Sequence, residues 1–305
     1  VKNVNLAHPF YSFRWLKTLH PDKTFGLRFH PSKTWSKSNL GFTNTSNQYG
    51  LKGPCNTKSD TVFISTSYGL GVGVDDGKNW YELSGIYNDS FNISFPVSNF
   101  HHNKCLDLQY KGSAKKLIYI YHPNLWFTSL GFYNAHKENL NIFEYYNWKT
   151  DYKSFFKIYA KYCIKNLRKL IQGNYKFLYN DVNYRYNTNY VKFNAEESQD
   201  FIHQEKKQIN NILSRFKDII VVKIPVKEQL ISKLNENKAL DSLISNYESS
   251  WDIFKNMAMQ ENVSFVDLTD EFELEDYLPL DTHWSEKGNQ KFHSLLKKYL
   301  SSEKS

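Results

Sequence analysis

Cysteine is scarce in this chain. Cys55, Cys105 and Cys163 are scattered through 305 residues, odd in number and without zinc-ligand spacing. That argues against a disulfide framework and against a cysteine-built zinc site. Also missing is any apolar run long enough to cross a membrane, and Val1-Lys-Asn-Val lacks the apolar core of a signal peptide. The expectation is a cytoplasmic protein, or a soluble piece trimmed from a longer envelope protein. Acidic residues are nearly absent from residues 1–60, where nine Lys or Arg face only Asp22 and Asp60, so this segment alone carries +7. No recognised nucleic-acid motif accompanies the charge, which makes nucleic acid a poor partner. His101 and His102 are adjacent and have no carboxylate pattern beside them. They are expected as a surface pair, with no metal and no cofactor implied.

What is present is ample material for a core: hydrophobic residues make up 40% of the chain and aromatics 17%. The basic first segment is itself aromatic, with Phe10, Tyr11, Phe13, Trp15, Phe25, Phe29 and Trp35 among turn signals such as His30-Pro-Ser and Gly53-Pro54. It is expected to be a loop-rich arm over residues 1–60, packed on a main domain over 61–305. Aromatics usually serve burial first, so covering a domain edge is its plainest role. Basic and aromatic residues together also suit a groove for an anionic glycan.

From Thr61 the pattern changes. Apolar runs predict strands at 61–66, near 91–95, and at 116–121, 219–224 and 263–267. Helical spacing predicts helices at about 77–87, 99–111, 152–172, 196–217 and 226–261, the last broken near 235–238. Residues 124–150 look like an irregular, aromatic excursion. A final helix is expected after Trp284, with Ser285 as its N-cap and Phe292, Leu295, Leu296 and Tyr299 as its buried face. Strands alternating with helices predict a three-layer α/β/α sandwich around a mostly parallel sheet, whose ligand crevice lies at the carboxyl ends of the strands.

Ser67 follows the run Val62-Phe-Ile-Ser-Thr and opens into Tyr68-Gly-Leu-Gly71-Val-Gly73. A serine at a strand end is ordinarily a turn or capping residue. Small residues directly after it are also what a tight turn needs to expose a nucleophile. Far along the chain, Asp281-Thr-His283-Trp284 supplies a base and a group to orient it. Trp284 is expected to pack rather than to bind substrate.

Together these blocks resemble the SGNH/GDSL hydrolase superfamily. Ser65-Thr-Ser67-Tyr-Gly resembles its first block, and Asn47-Gln-Tyr-Gly50-Leu-Lys-Gly53 resembles the lead-in of some members. Asp281-Thr-His283-Trp284 resembles its last block and is also similar to alginate-type O-acetyltransferases. The resemblance spans most of residues 45–300. Departures are visible: Ser65 and Thr66 stand where the family has Gly and Asp, no second-block glycine occurs near Asn92–Ser98, and the third block retains only Asn124. The resemblance implies Ser67 as nucleophile, His283 as base and Asp281 as its orienter. The oxyanion would be held by the Ser67 N–H, a backbone N–H of Val97 or Ser98, and the Asn124 side chain. It implies an esterase that removes an acyl group, most simply acetyl, from a carbohydrate or another O-acylated small molecule. The same site would serve an O-acetyltransferase acting on a glycan, and a degenerate member would only bind one.

Overall fold

Strands that read as unbroken apolar runs are those a parallel sheet buries on both faces. The computed structural model describes residues 19–22, 26–36, 41–53, 56–83, 89–94, 99–112, 115–123, 174–187, 199–234 and 238–302. Four short strands come first: β1 (Leu19–Asp22), β2 (Gly26–Phe29), β3 (Thr34–Trp35) and β4 (Asn44–Thr45). They form two antiparallel pairs, β1 with β2 and β3 with β4. The main sheet is built from β5 (Thr61–Ile64), β6 (Ser90–Asn92), β7 (Lys116–Tyr121), β10 (Asp218–Lys223) and β11 (Val263–Asp267), every neighbouring pair parallel. Between them in sequence, β8 (Asn174–Tyr179) and β9 (Val182–Asn187) make a separate antiparallel hairpin.

Side-chain alternation sorts the sheet's two faces. Val62, Ile64, Leu117, Tyr119, Ile219 and Val221 belong to one buried cluster. Their neighbours Phe63, Ile118, Ile120, Ile220 and Val222 belong to the other. The first face is covered by α2 (Asn99–Gln109), α3 (Gln199–Leu213) and α5 (Lys238–Ala258). The second is covered by α1 (Trp80–Leu83) and α6 (Glu286–Ser302). Helix α4 (Lys227–Leu234) gives Ile231 to one cluster and Leu230 to the other. This is the three-layer α/β/α sandwich that the strand and helix pattern predicts.

The strand order is β11-β10-β7-β5-β6. Chain direction across the sheet therefore reverses between β5 and β7, and such a reversal opens a crevice at the carboxyl ends of those two strands. Residues ahead of β5 join the same core: Phe29, Trp35, Phe42 and Leu51 are buried with the first face. No helix among the described residues is long and apolar enough to cross a membrane.

Two expectations need correction. His101 and His102 are not a surface pair: both are buried, at 4% and 0% exposure. Their helix α2 packs against α3 as well as against the sheet, so residues 100° apart both point inward. Burial, with Lys104 nearby, pushes His101 down to about 4. Strand β5 also stops at Ile64 rather than reaching residue 66, so Ser67 stands in the turn three residues past its end rather than directly after it. The expected helix at 152–172 and the excursion at 124–150 lie outside the described residues. The hairpin at 174–187 falls where the sequence pattern carries no assignment.

Candidate active site

The turn after β5 is tied by main-chain bonds. Gly69 N–H donates to Thr66 C=O at 3.1 Å, Gly71 N–H to Tyr68 C=O at 3.4 Å, and Val72 N–H to Ser67 C=O at 3.3 Å. Glycine is required here by close approach. A Cβ on Gly69 would lie 2.1 Å from Ser94 Oγ, and one on Gly73 would lie 2.5 Å from Leu278 Cδ1, with φ at +93° besides. The residues after β6 thus press on the turn from one side and the loop at 278–283 presses from the other. Asn92 Nδ2 donates to Gly69 C=O at 3.1 Å, and Asn44 Nδ2 to Leu70 C=O at 2.7 Å. From α6, Asn289 Oδ1 accepts from Trp80 N–H at 3.1 Å, while Trp80 Nε1 donates to Tyr68 C=O at 3.1 Å. The turn is fixed from three directions, and Ser67 stands partly exposed at its start.

Asp281 and His283 come from the far edge of the sheet. After β11 the chain makes a short 3-10 turn over Leu274–Asp276 and then a narrow loop closed by an antiparallel bridge between Tyr277 and Trp284. Leu278 N–H donates to His283 C=O at 2.9 Å inside that loop. The Asp-x-His spacing works locally: Asp281 Oδ1 accepts from the His283 backbone N–H at 3.0 Å and also hydrogen-bonds the His283 ring at Nδ1. An aspartate that turns the chain two residues on therefore fixes the ring of that same residue. The other ring nitrogen, Nε2, lies 2.6 Å from Ser67 Oγ across 216 residues of sequence. With Nδ1 donating to the carboxylate, Nε2 is the acceptor for the serine hydroxyl.

Electrostatics agree with that arrangement. Burial would raise the Asp281 carboxyl. The charge and two hydrogen bonds of His283, with the Lys227 ammonium behind them, hold it below the usual carboxylate range. His122, just past β7, is buried with its ring 4.8 Å from that of Tyr68. Burial and the like charge of His283 push it down to about 3, so it stays neutral near neutral pH. Tyr68 hydroxyl donates to Thr282 C=O at 2.7 Å, and its ring lies 5.3 Å from His283 and 4.7 Å from Trp284. Trp284 is buried, stacked on Phe272 at 5.1 Å and tilted against Phe292 at 4.8 Å. Ser285 accepts from Gly288 N–H at 3.3 Å, the third residue of α6, as an N-cap does.

Of the six site residues singled out in the sequence, the structure brings Ser67, His283 and Asp281 into one hydrogen-bonded row. Asn124, Val97 and Ser98 lie outside the described residues. Three contributors escaped the sequence: Tyr68, His122 and Lys227. Tyr68 had a signal in its place directly after Ser67 inside the glycine turn. Lys227 had none, since a lysine opening a helix ordinarily points to water. Among the described residues no three His, Cys, Asp or Glu side chains converge as a metal site would need.

The described residues thus define an α/β protein with a Ser–His–Asp hydrogen-bonded row at the carboxyl edge of a parallel sheet. Among solved structures the chain is similar to an acetyl xylan esterase, Est2A, from the rumen bacterium Butyrivibrio proteoclasticus. The match has 13% identity and a TM-score of 0.36, covering 82% of this chain and 65% of that one. The chain therefore spans 65% of that esterase's length. No protein-family model and no curated protein sequence matches it.

Proposed function

We propose that this chain is a serine esterase of SGNH type that removes an acyl group, most simply acetyl, from a carbohydrate. The observation that carries the proposal is the position of His283, 2.6 Å from Ser67 Oγ through one ring nitrogen and bonded to Asp281 through the other. Carbohydrate as the acyl carrier follows from the resemblance of the sequence blocks.

In the proposed reaction Ser67 Oγ attacks the ester carbonyl carbon as its proton passes to His283 Nε2. Asp281 keeps the imidazole in the Nδ1–H tautomer and stabilises the imidazolium that forms. The tetrahedral oxyanion is assigned to the Ser67 N–H, a backbone N–H at Val97 or Ser98, and the Asn124 side chain. One such donor supplies about 3–4 kcal/mol of transition-state stabilisation. Collapse expels the sugar alkoxide, which takes the proton from Nε2. Water, activated by the same nitrogen, then frees the acid from Ser67.

Turnover of 4-nitrophenyl acetate tests the reading. Ser67→Ala is expected to lose about 10⁴-fold or more in kcat, and a fluorophosphonate is expected to label Ser67 in the wild type. Full activity in Ser67→Ala would reject the nucleophile. Neither turnover nor labelling would leave a glycan-binding module. The Asp-Thr-His-Trp block, similar to O-acetyltransferases, makes one further measurement worthwhile: acetyl transfer to an added oligosaccharide in excess of hydrolysis would assign the acyl-serine to transfer.

A further inference from the structure

Lys227 is a buried cation whose ammonium reaches the loop that carries Asp281. It opens α4 at 0% exposure, and its ammonium donates to three backbone carbonyls: Leu278 at 3.3 Å, Pro279 at 3.2 Å and Asp281 at 2.7 Å. A lysine ammonium is a multiple donor, and these three acceptors all belong to one short loop. That loop leaves β11 at the sheet edge and must cross the ends of β10 and β7 to bring Asp281 and His283 over Ser67. Helix α4 begins just beyond β10, so its first residue lies beneath the crossing. The Tyr277 hydroxyl adds a second anchor nearby, donating to Pro225 C=O at 2.5 Å.

A lysine is a costly way to hold a loop for stability alone. Burying a charge is unfavourable unless its partners are well placed, and an apolar side chain of similar volume often serves as well or better. What the ammonium supplies that methionine would not is directional hold on the carbonyls flanking Asp281, together with positive charge behind its carboxylate.

We infer that Lys227 is a positioning residue: its three bonds to the 278–281 loop set where the Asp281 carboxylate meets His283, and it acts on the chemistry only through that pair. The inference rests on the esterase reading for its kinetic consequence, but not for its structural one.

Lys227→Met keeps the volume and removes the charge and all three bonds. In the full chain, kcat is expected to fall about 10–100-fold, since a misplacement near 1 Å costs up to about 10²-fold. KM is expected to stay within about twofold, and Lys227→Arg to recover part of the loss. The far-downfield proton resonance of His283 Nδ1–H, present only while the ring donates to the carboxylate, is expected to move or broaden in Lys227→Met. A folded Lys227→Met with that resonance in place and wild-type kcat would overturn the inference. A second measurement covers failure to fold. Coupling is reciprocal, so in Asp281→Asn the Lys227 Nζ signal in a ¹⁵N spectrum is expected to shift. An unmoved Nζ signal would overturn the inference equally. Both resonance responses in the variants, together with a wild type that hydrolyses no ester, would reject the esterase reading and leave the positioning role standing.

Discussion

The turn that carries Ser67 and the loop that carries Asp281 and His283 meet at one hydrogen bond, yet each is held by different means. The turn is shaped by its own main chain and by glycines that let neighbours press close: Ser94 against Gly69, Leu278 against Gly73. The loop is held by polar side chains: the Lys227 ammonium and the Tyr68 hydroxyl on Thr282 from elsewhere in the chain, and at its own base the Tyr277 hydroxyl on Pro225. A turn built from shape should be sensitive to added atoms, and a loop built from polar anchors to removed ones.

The largest effect on stability is expected from adding one carbon to the turn. Gly69→Ala would set a Cβ 2.1 Å from Ser94 Oγ and 2.3 Å from Ser94 Cβ. Overpacking of that kind costs about 1–3 kcal/mol. Urea denaturation should show the loss, and the pair Gly69→Ala with Ser94→Gly should recover most of it, because the second change removes both clashing atoms. A Gly69→Ala protein as stable as the wild type would dissolve the distinction between turn and loop.

Next comes acid. His122 has its folded-state value pushed from 6.5 down to about 3. Above about pH 6.5 it is neutral whether folded or not and costs nothing. As the pH falls below that, the unfolded chain takes up the proton first, so stability drops, by about 2 kcal/mol at pH 5. His101, at about 4, adds loss in the same direction. The carboxyl of Asp281, held below its usual range, contributes at lower pH: its stabilisation is present above about 4 and fades as acid protonates the folded form. Melting temperature measured from pH 8 to pH 4 is expected to fall less steeply in His122→Gln than in the wild type. Parallel curves would mean that His122 titrates freely.

The smallest effect is expected from the loop's Tyr68 anchor. Tyr68→Phe removes one hydrogen bond, to Thr282 C=O, and should cost about 1 kcal/mol in stability. Its signature is kinetic: kcat lower by a few-fold with KM unchanged, because the ring that still packs beside His283 no longer holds the backbone next to it. A change confined to KM would move Tyr68 from the loop's support to the substrate's.

This contrast also explains what could be read from the sequence. The strands β7 and β10 stand out as apolar runs because both faces of a parallel sheet are buried there, so no polar alternation interrupts them. Ser67 and the Asp281–His283 pair were visible because each is a local device: a serine before glycines, and an aspartate two residues ahead of the histidine it turns toward. The anchors were not visible, since nothing around Lys227 in sequence marks it as buried. Its environment is made by a loop more than 50 residues later. His101 and His102 misled for the same reason, as α3 buries the side that sequence left to solvent. The hairpin of β8 and β9 did carry a signal, Asn180-Asp181 with both φ positive at 47° and 59°, as a two-residue hairpin turn requires. Its flanking strands lack a clean apolar alternation, and the signal passed among turn-like residues.

The bond between Ser67 and His283 spans 216 residues, and that separation has a consequence in time. A ribosome adding about 5–20 residues per second needs on the order of 10–40 seconds to get from the one to the other. Throughout that interval the serine has been made and the imidazole it will meet has not. The two halves of the row are thus born apart, and no nascent chain shorter than His283 can hold it.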